Sequence, residues 1–455
     1  MTPELVVRGI VVTPTEVLTD GAVVVADGRI TEVLSGRAAL QAAEAAKTVV
    51  GSPGRLVLPG AVDAHVHSFS DPGETFIGAT SAAAAGGVTT ILDMPYDAGA
   101  PVNTAEAVLA KRERLAGEAV VDVSLHGTVR PLDGVRDIDG MVDAGVCGFK
   151  VSLFETDPIR FPRIASDELL DAFAVLRERG VRVGVHAEDG EIIGALVKSA
   201  IATGRTAPID HVRSRPPVSE TASVALGLEL ASAVGVKFHI FHASLPATVD
   251  LVREHAARGQ DFTVETCPHY LVLSEDDMER LGAKGKINPP LRTPESAAAM
   301  WRALADGRVE MVTSDHAPWP LSKKSAPVIF DNASGAPGVQ TLLPIVLGAG
   351  YFGGRISLLT AAQVLATNPA KAFGLEHRKG SIAVGLDADL VVVDPAQRTV
   401  VDDTRMYSSA TWSPYEGLQF QGRVEQTIVR GVTVYSHADG LLAKAGDGQF
   451  VAGLR

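Results

Sequence analysis

Cysteine is nearly absent from this chain. Two residues, Cys147 and Cys267, among 455 cannot build a disulfide framework, and their scarcity points to a reducing, cytoplasmic setting. It also excludes a cysteine cage for a metal. Any metal chemistry has to rest on nitrogen and oxygen ligands, for which twelve histidines are available. Runs of like charge are missing too: 41 Lys+Arg against 54 Asp+Glu give a net charge of −13 with no basic stripe. Nucleic acid and an anionic membrane are therefore excluded as partners. Met1 to Arg8 hold no signal-peptide apolar core, and no apolar stretch reaches membrane-spanning length. With 46% hydrophobic and 21% charged residues, the composition is that of a folded protein rather than a disordered one. A single core stops growing near ~250–300 residues, so the length predicts one large domain and a smaller one.

The organisation follows from the apolar runs. Leu5-Val6-Val7, Ile10-Val11-Val12, Ala22 to Val25 and Ile30 to Leu34 read as short strands, with a hairpin signal at Asp27-Gly28. The C-terminal stretch has the same style in Leu390 to Val393, Val424 to Val429 and Val432 to Tyr435. Residues 1–55 and 375–455 are therefore expected to form one β domain, with crossings at Gly51 to Gly60 and near Gly374. Between them, residues 56–374 alternate eight candidate strands with amphipathic segments. The strands are Ala61–His67, Val88–Met94, Ala119–His126, Val146–Leu153, Val181–Ala187, Val236–Ala243, Phe262–Thr266 and Val309–Asp315. The fold class is α/β, a (β/α)8 TIM-like barrel with a small β-sandwich domain formed from both termini. A doubly wound sheet would need a Gly-x-Gly-x-x-Gly turn after the first strand, and there is none.

Polar residues fall where such a barrel keeps its active site, at the carboxyl ends of strands. His65 and His67 share one strand face, with Val66 on the other. Packing gains nothing from paired imidazoles. Lys150 lies in the apolar run Val146 to Leu153, where an unpaired ammonium is costly. By itself it reads as a lysine snorkelling to the rim, a Schiff-base lysine, or a lysine carboxylated by CO2 that bridges two metals. His186 ends the fifth strand and His242 the sixth. His239 is three residues before His242, on the opposite strand face, and is assigned a structural role. Asp315 ends the eighth strand and offers an anionic oxygen for a metal or for proton transfer. Four histidines, one lysine and one aspartate suit a pair of divalent cations, zinc first, with Mn, Fe or Co also admissible.

This constellation resembles the amidohydrolase superfamily, and within it the cyclic amidohydrolases: allantoinases, hydantoinases, dihydropyrimidinases and dihydroorotases. The resemblance rests on Pro59-Gly60-Ala61-Val62-Asp63-Ala64-His65-Val66-His67, on Gly148-Phe149-Lys150 and on Gly385-x-Asp387-Ala388-Asp389-Leu390-Val391. It covers almost the whole chain. Dihydroorotases are expected to carry an arginine where this chain has Ser68, and asparagine where it has Tyr96. Dihydropyrimidinases and D-hydantoinases are expected to have a tyrosine where Glu155 stands. Ser214-Arg215-Pro216, Glu265-Thr266-Cys267-Pro268-His269-Tyr270 and Trp412-Ser413-Pro414-Tyr415 look more like allantoinases and L-hydantoinases. Two departures from the allantoinase pattern are Glu74, in Asp71-Pro72-Gly73-Glu74, and Trp319, in Asp315-His316-Ala317-Pro318-Trp319.

The resemblance implies a binuclear centre. His65 and His67 would hold one metal, with Asp315, and His186 and His242 the other. Lys150, as a carbamate, and a hydroxide would bridge both. Asp315 would move the proton from hydroxide to the leaving ring nitrogen. Asn288 and the loop bearing Ser334 and Gly335 are expected to recognise the ring, with Phe154 and Glu155 lining the pocket. His269 and His316 are expected to pack. The implied reaction is ring opening of a small cyclic amide, allantoin to allantoate first. Hydantoinase or dihydropyrimidinase activity on 5-substituted hydantoins or another cyclic imide is the alternative. A metal-free scaffold is a third class, but it predicts gaps in a ligand set that is complete here. The resemblance also implies a homo-oligomer, a tetramer.

Overall fold

Valine-rich runs broken by turn residues become the strands of two eight-stranded sheets in the computed structural model, which describes residues 3–132 and 135–454. Four strands come first: β1 (Leu5–Val12), β2 (Val17–Ala26), β3 (Arg29–Ser35) and β4 (Thr48–Pro59). Asp27 and Gly28 join β2 to β3 with φ of 50° and 74°, the left-handed pair that a tight hairpin needs. The eight predicted barrel strands follow as β5 (Ala61–Val66), β6 (Val88–Asp93), β7 (Asp122–Gly127), β8 (Gly148–Ser152), β9 (Arg182–His186), β10 (Phe238–Ile240), β11 (Phe262–Thr266) and β12 (Met311–Val312). All are parallel to their neighbours, in the order β12-β11-β10-β9-β8-β7-β6-β5. A parallel bridge from Val66 to His316, with His67 N donating to His316 O at 2.8 Å, brings the two ends of this sheet together.

Helices fill the crossovers, including Ser166–Glu178, Pro217–Val234, Pro246–Ala256 and Pro294–Ala305. Each buries one apolar stripe against the strands, for example Leu169, Ala172, Phe173 and Leu176. Thr293 caps the helix that opens at Pro294 by accepting from Ser296 N, which satisfies one of the four free amides of its first turn. The alanines of Thr75–Ala85 are buried, so that helix packs tightly against the barrel.

The last strands are β13 (Leu390–Val400), β14 (Gln419–Val429), β15 (Val432–Ser436) and β16 (Gly440–Leu441). They join the first four in one sheet, β16-β15-β14-β13-β4-β1-β2-β3. One expectation is corrected here. Residues 51 to 59 are not a crossing but most of β4, the strand that sits between β1 and β13. Its Gly51, Pro53 and Gly54 read as a turn, whereas Leu56-Val57-Leu58 are buried and pair with Val391 to Val393. The chain passes from sheet to barrel at Gly60 alone, where a β-carbon would lie 2.2 Å from Thr89.

A buried charge cluster ties the sheet to the barrel. Lys379 Nζ contacts Asp122 Oδ2 at 2.5 Å, Asp389 Oδ2 at 2.6 Å and Asp387 Oδ2 at 3.0 Å, and Arg430 also pairs with Asp122. Three carboxylates this close resemble a cation site, and the lysine is the cation. Lys379→Met should leave them without that charge and cost about 3–5 kcal/mol. The check is the urea midpoint. The deficit should shrink as the pH falls and the carboxylates take up protons, and a midpoint unchanged at neutral pH would contradict this role.

Candidate metal centre and active site

Five strand ends deliver the polar residues to one mouth of the barrel. His65 lies in β5 and His67 just beyond it, Lys150 in β8, and His186 closes β9. Two further residues stand on tight turns after short strands. His242 follows β10 with φ of 39°, and Asp315 follows β12 with φ of 47°. Non-glycine residues are costly in this region and collect where the surroundings force them. Glu220 helps to force the first, accepting from Ser244 N at 3.1 Å and Thr248 Oγ1 at 2.7 Å just past His242.

The six side chains meet. Lys150 Nζ is 2.6 Å from His65 Nε2, and Asp315 Oδ1 is 3.1 Å from His65 Nε2 and 3.6 Å from His67 Nε2. His186 Nδ1 is 2.9 Å from His242 Nε2. The rings of His65 and His242 are 5.3 Å apart, which joins the two groups. All six are buried, Lys150 to 1% exposure.

Burial governs the charges. It lowers the imidazolium of His65 and of His242 well below the ordinary value, and that of His67 to about 4. It lowers the Lys150 ammonium to about 8. Burial opposes ionisation of Asp315, yet the hydrogen bond and charge of His67 outweigh it and hold its carboxyl below the usual range. Burial thus disfavours the charged forms of His65, His67 and His242, while Asp315 stays ionised.

The donor chemistry fits cations. Glu265 Oε1 lies 2.6 Å from His65 Nδ1, so His65 donates from Nδ1 and turns a lone pair outward from Nε2. That lone pair meets Lys150 Nζ at 2.6 Å and faces the Asp315 carboxylate at 3.1 Å, so the two acceptors converge where a positive charge is needed. His186 repeats the pattern: Nε2 is committed to Glu188 Oε2 at 3.0 Å, which leaves Nδ1 to the site. Carboxylates that orient ligating imidazoles through their second nitrogen are usual around metals.

The mouth above these residues is a narrow cavity of about 60 Å³, which Asn288, Ser334 and Gly335 line. With its amide turned to satisfy both ends, Asn288 accepts from Arg215 Nη2 at 3.3 Å and from Ser334 Oγ at 3.2 Å. Tyr96, Arg160, Phe161 and Trp319 line it as well, and Trp319 Nε1 donates to Ser334 O at 2.8 Å. Phe154 is half-buried with its ring 6.1 Å from that of His186, and Glu155 is exposed. Both line a neighbouring surface cavity instead. His316 is held by Glu74 and Gly338 N, at 3.2 and 3.1 Å, and His269 packs on Tyr270.

Residues 56–434 match the amidohydrolase family model. The chain belongs to the amidohydrolase family. It is 38% identical over 410 residues to an allantoinase of Rubrobacter xylanophilus, covering 89% of each chain. It is also 38% identical over 436 residues to a dihydroorotase of Halobacterium salinarum, covering 94% of this chain and 98% of that one. Among solved structures, the L-hydantoinase of Arthrobacter aurescens superposes with a TM-score of 0.94 at 31% identity, covering 99% of this chain and 100% of that one. The protein is a cyclic amidohydrolase, an enzyme of a family that generally uses a binuclear metal centre.

Seen as an amidohydrolase, the chain holds several residues that its motifs did not assign. Arg215 braces Glu188 at 2.5 Å and thereby His186. Glu74, the first departure from the allantoinase pattern, is buried and accepts from Ser409 N at 2.6 Å and Ser408 Oγ at 3.1 Å. It anchors the C-terminal segment and does not line the cavity. Trp319 and Tyr96 do line it. Glu265 had appeared only as a letter in a motif. Fully buried, it holds His65 Nδ1 with one oxygen and His239 Nε2 with the other, the latter at 3.2 Å, and accepts from His242 N at 3.1 Å. Burial pushes its carboxyl up to about 8. His239 thus lies inside the barrel beneath the site, a position that strict alternation had denied it. Glu265→Gln should weaken metal retention by about 10–100-fold, measured by metal analysis after dialysis against a chelator. Retention equal to wild type would reduce Glu265 to packing.

Proposed function

We propose that this cyclic amidohydrolase opens the ring of a cyclic ureide, allantoin to allantoate first, at a centre of two divalent cations, zinc first. The observation that carries the reading is the convergence of His65, His67, Lys150, His186, His242 and Asp315 on one buried spot at the strand ends. His65 and His67 with Asp315 would hold one cation, and His186 with His242 the other. Lys150 would serve both as a carbamate. Its lowered ammonium pKa, about 8, leaves neutral amine to add to CO2, with an N–C bond formed and a proton released. That exchange turns a buried cation into an anion suited to cations. Bound there, divalent metals lower the pKa of water and polarise an amide carbonyl. Asp315 takes the proton of the attacking water and returns it to the leaving ring nitrogen, first base and then acid. Asn288, Ser334 and Gly335 hold the polar edge of the ring.

Allantoinase relatives at 34–38% identity support the ureide, as does Ser68 in place of a carboxylate-binding arginine. The fit to an L-hydantoinase, TM-score 0.94, favours 5-substituted hydantoins as the second reading. Metal-loaded enzyme assayed side by side on allantoin, 5-substituted hydantoins, dihydrouracil and dihydroorotate separates them. The highest kcat/KM is expected on allantoin. Dihydroorotate or dihydrouracil as the best substrate would overturn the ureide assignment.

A further inference from the structure

Arg160 stands apart in the cavity. The other charged side chains there, Lys150 and Asp315, belong to the metal centre, while Arg160 lines the cavity with Tyr96, Phe161 and Trp319. Its Nη1 donates to Tyr96 O at 3.0 Å, and its guanidinium lies over the Trp319 ring, 5.4 Å from the centroid. Those contacts fix the plane of the fork and leave further N–H groups unused.

The carboxylates whose charge reaches Arg160 are bound elsewhere. Asp157 accepts from the backbone N–H of Ile159 and of Arg160 itself, at 2.9 and 2.8 Å. Asp97 pairs with Lys111 at 2.6 Å. Among the described residues no carboxylate pairs with the guanidinium. A half-buried, oriented and unpaired arginine facing a cavity is a built receptor for an oxygen acceptor.

We infer that Arg160 recognises an oxygen acceptor on the substituent of the substrate ring. The preferred substrates then carry a carbonyl or a carboxylate at that position rather than an alkyl or aryl group. This rests on the ring-opening reading above, in which the metal centre takes the reacting amide and Asn288 with Ser334 the ring edge. Arg160, held by Tyr96 O and the Trp319 ring, is left to meet what projects from the ring. Tyr96 and Phe161, stacked at 3.7 Å, add a flat apolar surface beside it.

The test uses metal-loaded enzyme and four probes: hydantoin, 5-isobutylhydantoin, hydantoin-5-acetate and allantoin, which is 5-ureidohydantoin. The readout is the ratio of kcat/KM on each polar probe to that on the isobutyl compound, which is independent of the fraction of active protein. Arg160→Met should lower the ratio by roughly 10–100-fold, and Arg160→Lys by less. A fall confined to the acetate identifies a carboxylate as the ligand, and one confined to the ureido probe identifies a neutral carbonyl. Wild-type enzyme that opens hydantoin while Arg160→Met leaves both ratios unchanged overturns the subsite alone. Wild-type enzyme that opens none of the four overturns the ring-opening reading and the subsite with it.

Discussion

Lys150→Ala is expected to lose both metals and to lower turnover by roughly 10⁴-fold or more, because the fall in the pKa of water from ~15.7 to ~7 goes with the metals. The expectation follows from the placement of the lysine. Its Nζ lies 2.6 Å from His65 Nε2, in a site where burial has already lowered the ammonium to about 8. A short carboxylic acid added to the variant should restore part of the activity by standing where the proposed carbamate would stand. Metal analysis and steady-state assay, with and without the acid, make the check. Full activity without rescue would remove the bridging role. Loss without rescue, in a variant whose circular dichroism matches wild type, would point to the ammonium itself.

Asp315→Asn separates binding from chemistry. The amide keeps the shape and can still accept a hydrogen bond, but it can no longer take a proton. A KM close to wild type and a kcat reduced by roughly 10²–10⁴-fold are expected if Asp315 carries the proton. His67 holds its carboxyl below the usual range despite burial, so it is ionised and ready as a base at neutral pH. A kcat near wild type would remove it from that role. A raised KM with unchanged kcat would make it a binding group only.

Much of this site was legible in the sequence because strand ends are. A barrel strand is a short β-branched run, and whatever polar residue ends it is delivered to the mouth. His65, His67, Lys150 and His186 are of that kind, and His242 and Asp315 follow their strands by a short turn. The reasoning was weakest where the backbone stops being a strand. β10 ends at Ile240, so His242 is placed by a left-handed turn and alternation from His239 has no force. Glu265 and Arg215 were harder still. Each acts on a side chain far away in the chain, through contacts that no local spacing encodes. β4 was hidden for a simpler reason, since its glycines and proline sit at an exposed end while its apolar half pairs with residues from the other terminus.

That pairing has a consequence for biosynthesis. Pro59 lies in a ladder whose partner, Leu390, is made only after the entire barrel has been synthesised. Until then β4 has β1 on one side and an open edge on the other, bearing Leu56, Val57 and Leu58. An unpaired apolar edge is a template for pairing with other chains. The nascent protein is thus most vulnerable to aggregation during elongation. The late arrival of β13 seals the edge and closes that window.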